Sequence, residues 1–161
     1  MSMKPVLAVG DVNTDIIIRL PHAKGDPVPP PELHGGGTIA NTAVGIRRLD
    51  VPVRFAGSVG NDGYGRFVAE DLAAEGVDVT LLRETDQDFT VSVFAVIGAD
   101  GDRTISVWPP EGGAHAHFTP DDLPDGAVRA GGWLHCSGIA LRRTPVRETI
   151  IHAAAVAAEA G

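Results

Sequence analysis

Cysteine, basic residues and long apolar runs are scarce in this 161-residue chain, and each shortage excludes a class of protein. A single cysteine, Cys136, rules out an internal disulfide framework and is consistent with a reducing compartment. Lysine and arginine number 13 against 21 acidic residues, for a formal net charge of -8. An acidic chain without a basic run is poorly suited to binding nucleic acid or an anionic membrane.

No apolar stretch approaches membrane-spanning length, because the isoleucines at 16–18 are soon followed by Arg19 and Pro21. The first residues, MSMKPV, contain no apolar signal-peptide region. Hydrophobic residues make up 43 % of the chain and charged residues 21 %, which is typical of a globular domain. We therefore expect a cytoplasmic protein with neither nucleic acid nor membrane as a partner.

Short apolar runs alternate with helical patterns, which is the arrangement typical of a parallel α/β sheet. Strands are predicted at 5–10, 53–59, 77–82 and 133–137, the last of them buried, and helices at 37–49 and 64–75. The second helix is predicted to bury Tyr64, Phe67, Val68 and Leu72, with Asp62 as its N-cap rather than a ligand. Thr144 is predicted to cap a last helix that begins at Pro145.

A second group of strands surrounds an Asp-Gly turn signal at residues 100–101. Residues 89–97 alternate in polarity and 103–108 return as a partner strand, so a hairpin is predicted that pairs with a strand near 15–20. The proline-rich segment 21–34 is predicted to be an exposed loop, as is 109–126. His115 and His117 in the latter loop lack evident further ligands, so no metal site is predicted.

Polar residues follow the first predicted strand, at the position where open α/β sheets bind ligands. Asp11, Asn13 and Asp15 come directly after it, and a glycine run at 35–37 leads to Asn41. Glycines allow close approach of a ligand to the backbone, and a helix start offers unpaired N–H groups. The alternative is that Asp11 and Asn13 only make hydrogen bonds within a turn.

The glycine pattern resembles the first signature of the PfkB (ribokinase-like) carbohydrate kinases. That signature has two glycines, a short gap, an asparagine and a small residue, and then a spaced run that ends G-x-x-G-x-D-x-x-G. The matching positions in this chain are Gly36, Gly37, Asn41, Ala43, Gly57, Gly60, Asp62 and Gly65. One position departs from the usual pattern, since Ile39 stands where the family usually has Gly, Ala or Pro.

The resemblance implies an α/β fold, a ribokinase-like Rossmann-type parallel sheet with helices on both faces and a small β-sheet lid. Residues 1–161 would be the N-terminal part of a single domain, with lid segments at about 13–35 and 88–110 and the C-terminal half of the fold absent. The lid would also form a homodimer contact. By the same resemblance, the sugar would be held by Asn13, Asp15, Gly36, Gly37 and Asn41.

The reaction that the resemblance implies is ATP-dependent phosphorylation of a sugar hydroxyl, with ATP and Mg²⁺ as cofactors. The family's catalytic base is an Asp in a G-A-G-D helix start that lies in its second half. No catalytic residue and no metal ligand is therefore expected in this chain. We expect the 161-residue chain to be inactive as a kinase on its own, and to associate through uncovered apolar surface.

Two other functions remain open at the level of sequence: a nucleoside kinase of the same fold, and a non-catalytic sugar-binding or dimerisation module. Residues 35–40 formally fit a dinucleotide-binding fingerprint, but they follow a proline-rich loop rather than the first strand. The P-loop and G-x-S-x-G motifs are absent from the sequence, which argues against P-loop NTPases and the usual α/β-hydrolases.

Overall fold

The computed structural model describes residues 3–161, which form two separate four-stranded sheets together with four α-helices. In chain order the elements are β1 (Val6–Val9), β2 (Asn13–Arg19), β3 (Glu32–Gly36), α1 (Thr38–Arg48), β4 (Val53–Gly60), α2 (Gly63–Ala74), β5 (Asp78–Thr85), β6 (Ser92–Ile97), β7 (Arg103–Trp108), α3 (Asp125–Ala130), β8 (Trp133–Cys136) and α4 (Val146–Ala160).

The first sheet is parallel throughout, with strand order β5-β4-β1-β8. Side chains alternate between its two faces, and both faces are covered. Leu7 and Val9 pack into a cluster with α4 side chains such as Ile150. Ala8 and Phe55 pack on the other side with Ile39 of α1 and Val68 of α2. The predicted parallel sheet with helices on both faces is confirmed.

The second sheet has the order β3-β2-β6-β7 and contains the predicted hairpin of β6 and β7. Strand β2 pairs in parallel with β6 and antiparallel with β3. Thr14 and Ile16 of β2 are buried, and the Thr14 hydroxyl donates to the Tyr64 carbonyl oxygen of α2 at 3.2 Å. These contacts hold the second sheet against α2, beside the carboxyl end of β1.

Two elements replace predicted loops. Strand β3 lies at the end of the segment predicted as a loop, and its sequence, ELHGG, has no alternating apolar pattern. An exposed edge strand needs only backbone hydrogen bonds to its neighbour, so hydrophobic periodicity does not reveal it. Helix α3 begins at Asp125, inside the second predicted loop, and has six residues, too few to show a helical period.

Three side-chain predictions are wrong. Thr144 does not cap the last helix, because α4 begins at Val146 with Pro145 at the N-cap position and no side-chain cap bond. Tyr64 is 39 % exposed rather than buried, since it lies in the first turn of α2 before the helix packs on the sheet. Trp133 is 69 % exposed because β8 is the edge strand of its sheet.

Among residues 3–161, none of the helices is both long enough and apolar enough to span a membrane.

Candidate functional site

A cavity of about 400 Å³ lies where the carboxyl end of β1, the start of α1 and the second sheet meet. Its polar lining includes Asp11, Asn13, Asp15, Asn41 and His115. Its apolar lining is Val12, Val91, Val93, Val107 and Ile139. Of the five sequence-predicted site residues, the structure thus brings Asn13, Asp15, Gly37 and Asn41 to one cavity, and Gly36 lies directly behind two of them.

Asn13 and Asp15 form a hydrogen-bonded pair on one face of β2. The Asn13 side-chain amide donates to Asp15 Oδ1 at 2.6 Å. Burial raises the pKa of Asp15 above its usual range, while the bond from Asn13 and the nearby His34 act in the opposite direction. The pair presents one carboxylate oxygen and one amide group whose remaining hydrogen-bonding capacity faces the cavity.

Gly36 leaves room for this pair. It lies opposite Asn13 in the β2–β3 register. A Cβ at Gly36 would lie 2.5 Å from Asn13 Nδ2 and 2.7 Å from both Asp15 carboxylate oxygens. Any side chain at this position would therefore displace Asn13 and Asp15 from their present positions.

Gly37 turns the chain from β3 into α1 with φ of 105°, a conformation that favours glycine. A Cβ there would lie 2.7 Å from the Asp11 carbonyl oxygen and from Val12 Cα. The α1 backbone is thereby held close to the end of β1. The Thr38 N–H donates to Asp11 Oδ2 at 2.5 Å, and Asn41 lies exposed in the first turn of the helix.

His115 is a site residue that sequence reasoning missed. Its sequence context suggests only a metal ligand, and its distance along the chain from Asn13 and Asp15 gives no signal of their proximity. It is the second residue of a 3-10 helix, Ala114–His117, and it lines the cavity together with residues of the α1 start. Burial lowers the pKa of His115, because it disfavours the charged imidazolium.

Asp62 does not line this cavity and caps α2 as predicted. Its Oδ1 accepts from the Gly65 N–H and its Oδ2 from the Thr90 N–H, each at 2.8 Å. Within residues 3–161, no group of three or more His, Cys, Asp or Glu side chains is placed to hold a metal ion.

A smaller cavity of about 300 Å³ adjoins the first and shares Val91, Val107, His115 and Ile139 with it. Arg142 and Arg143 line this second cavity, whereas the described residues that line the first include no lysine or arginine. The two cavities therefore differ in charge, with acidic side chains in the larger and basic side chains in the smaller.

Comparison with known proteins relates the whole described chain to one family. Residues 3–161 match the model described as "pfkB family carbohydrate kinase". A fructokinase of Klebsiella pneumoniae is 36 % identical over 156 residues, which cover 97 % of this chain and 48 % of that protein. An aminoimidazole riboside kinase of Salmonella typhimurium is 35 % identical, with 99 % of this chain and 47 % of that protein covered.

Solved structures give the same relationship. The structure of a fructokinase with bound ATP from Xylella fastidiosa superposes with a TM-score of 0.87 at 25 % identity, and covers 99 % of this chain and 50 % of that one. A fructokinase from Vibrio cholerae superposes with a TM-score of 0.82 at 32 % identity, covering 99 % of this chain and 52 % of that one. The chain spans about half the length of the curated relatives it matches.

Proposed function

Because the chain belongs to the pfkB family of carbohydrate kinases, we propose that it binds a neutral sugar whose hydroxyl group is phosphorylated by ATP. The observation that carries this proposal is the Asn13–Asp15 pair, hydrogen-bonded at 2.6 Å behind the side-chain-free Gly36. A carboxylate beside an amide matches neighbouring sugar hydroxyls, which both donate and accept hydrogen bonds.

Each site residue has a proposed part in holding the sugar. Asp15 accepts from one hydroxyl, and Asn13 and Asn41 donate to or accept from others. Gly36 and Gly37 let those hydroxyls approach the backbone at the start of α1. The valines of the second sheet cover the apolar face of the sugar ring and reduce access of water to it. This second sheet, which corresponds to the lid segments expected at about 13–35 and 88–110, is proposed to act as the lid of a single domain.

The cofactors proposed for the reaction are ATP and Mg²⁺. ATP is supported by the fructokinase structure with bound ATP. When bound, they supply the transferable phosphoryl group and neutralise its developing charge. The described residues provide no clustered metal ligands, and we assign neither the nucleotide site nor the catalytic base to them. The chain's own part is to position the accepting hydroxyl.

A neutral substrate is favoured by the charge of the cavity, since Asp11 and Asp15 would repel a carboxylate or phosphate group. A nucleoside is the second candidate, supported by the aminoimidazole riboside kinase at 35 % identity. The named relatives are kinases, so we place both candidates ahead of a non-catalytic sugar-binding module. We further propose a cytoplasmic location, supported by the single cysteine and the family's substrates.

The test uses the protein expressed from its native coding sequence, assayed with ATP against D-fructose, D-ribose, adenosine and gluconate. We expect phosphorylation of D-fructose, D-ribose or adenosine, but not of gluconate. Asp15→Ala should raise KM by about 10- to 100-fold, since a hydrogen bond to a charged group contributes about 1.5–3 kcal/mol.

Asp121→Ala is the control for this substitution, because Asp121 is exposed and lies outside the cavity. It should leave KM unchanged. The proposal is overturned if no compound in the panel is phosphorylated, or if Asp15→Ala and Asp121→Ala give the same kinetics. Preference for gluconate would instead indicate that Arg142 and Arg143 contact the substrate.

A further inference from the structure

His115 carries a polar atom that the fold leaves unused. Its Nδ1 is buried and has no hydrogen-bond partner among residues 3–161. A buried polar atom without a partner costs free energy, and native structures contain few of them. Because His115 lines the cavity that also contains Asn13 and Asp15, a hydroxyl of a bound ligand could provide the missing partner.

The backbone before His115 is fixed on both sides. The Ala114 N–H donates to the Phe89 carbonyl oxygen at 2.8 Å, and the Ala114 carbonyl oxygen accepts from the buried Ser58 hydroxyl at 2.6 Å. Gly113 permits this close packing, because a Cβ there would lie 2.6 Å from the same Phe89 oxygen. The backbone that carries the imidazole is thus held by β4 and by the segment before β6, which favours a preorganised binding group.

A second unused atom lines the same cavity. Asp11 Oδ2 accepts from the Thr38 N–H, but the buried Oδ1 of Asp11 has no partner among the described residues. A carboxylate oxygen only accepts, whereas the Nδ1 of a neutral imidazole donates or accepts according to its tautomer. A hydroxylated ligand can satisfy both atoms, because each hydroxyl can both donate and accept.

We propose that His115 is a specificity-determining residue whose Nδ1 contacts a substrate hydroxyl beyond those held by Asn13 and Asp15, with Asp11 Oδ1 accepting from the same region of the sugar. This inference rests on the proposed function and narrows its substrate class to neutral compounds with an additional hydroxyl at this position. A site built to bond a hydroxyl discriminates strongly against analogues that lack it.

The experiment compares three substitutions in the protein expressed from its native coding sequence, with the best substrate among D-fructose, D-ribose and adenosine. His115→Asn places a polar atom near the position of Nδ1, His115→Gln places one near Nε2, and His115→Leu removes both. We expect the His115→Gln and His115→Leu variants to raise KM about tenfold, equivalent to about 1.4 kcal/mol, with kcat changed less than twofold. Asn should remain within about threefold of the parent KM.

His117→Leu is the matched control, since His117 lies two residues further on, pairs with Asp88 at 3.5 Å and is outside the cavity. Thermal unfolding of each variant separates loss of binding from loss of the fold. Equal KM values for the Asn and Gln variants would overturn the role of Nδ1. If Asp15→Ala raises KM and no His115 variant does, only this inference fails, and if no substrate is found, the proposed function fails with it.

Discussion

At Gly37 the backbone restricts which residue the chain can accommodate. The φ of 105° is unfavourable for residues with a Cβ, and an added Cβ would lie 2.7 Å from the Asp11 carbonyl oxygen. We expect Gly37→Ala to lower the free energy of unfolding by about 2–3 kcal/mol through strain and backbone displacement. It should also weaken sugar binding, because the displaced backbone carries Asp11 and the start of α1. Chemical denaturation and substrate kinetics measure the two effects.

Gly45→Ala is the control for this prediction, since Gly45 lies within the same helix and a Cβ there would meet nothing within 4 Å. Alanine at this position should stabilise the protein by up to about 1 kcal/mol through helix propensity. Equal stabilities of the two variants would show that the strain assigned to position 37 is wrong.

Some residues of the site could be predicted from the sequence, and others could not. Asn13, Asp15, Gly36, Gly37 and Asn41 were predicted to act together, and the structure places them around one cavity, although their contact with a sugar remains a prediction. They could be found because they belong to a local glycine-rich pattern. The buried Nδ1 of His115, which lacks a partner in the part of the chain that the structure describes, could not be predicted, because burial depends on elements distant in the chain.

At the scale of elements, α2 depends on Asp62. Its two carboxylate oxygens accept from the Gly65 N–H at the helix start and from the Thr90 N–H before β6. One side chain therefore links the start of α2 to the segment that leads into β6 of the second sheet. We expect Asp62→Ala to lower the free energy of unfolding by about 2 kcal/mol, because a lost N-cap costs about 1 kcal/mol and a second bond is lost with it. Thermal or chemical denaturation measures the change.

Asp102→Ala provides the comparison for Asp62, since the Asp102 side chain is exposed at the β6–β7 turn. It should change stability by less than about 0.5 kcal/mol. A substrate KM that rises for Asp62→Ala, with stability unaffected, would mean that Asp62 is a ligand rather than a cap.

Elements with a strong pattern were predicted well from sequence. Strand β7 runs from Arg103 to Trp108, as the alternation and the Asp-Gly turn predicted, and α1 and α2 lie within a residue or two of the predicted ranges. Strand β3 was not predicted, because its pairing with β2 depends on backbone hydrogen bonds and leaves no periodic pattern in the side chains.

At the scale of the whole molecule, one face of the second sheet continues beyond the cavity as an exposed apolar surface. Val107 of β7 lies at the cavity, and Ile105, on the same face, is 54 % exposed. Ile17 and Ala95 lie beside it in register. We propose that a second copy of the chain covers this face, since an exposed apolar sheet face favours association.

Ile105→Lys should raise the dimer dissociation constant at least about tenfold, because it replaces a buried apolar contact of about 1.5–3 kcal/mol with a charge. Ser106→Lys alters the opposite face of the same strand and should leave association unchanged. Light scattering over a wide concentration range measures both. A parent protein that stays monomeric throughout, or equal effects of the two substitutions, would contradict this surface.

The sequence by itself determined the alternation of strands and helices, the acidic charge and the glycine pattern that assigns the chain to its family, because each is a property of neighbouring residues. Tertiary structure alone decided that His115 and Asp11 line one cavity, each with a buried atom that has no hydrogen-bond partner within residues 3–161, and that β3 completes the second sheet. Burial and hydrogen-bond satisfaction depend on which distant segments pack together, and no local pattern encodes that information.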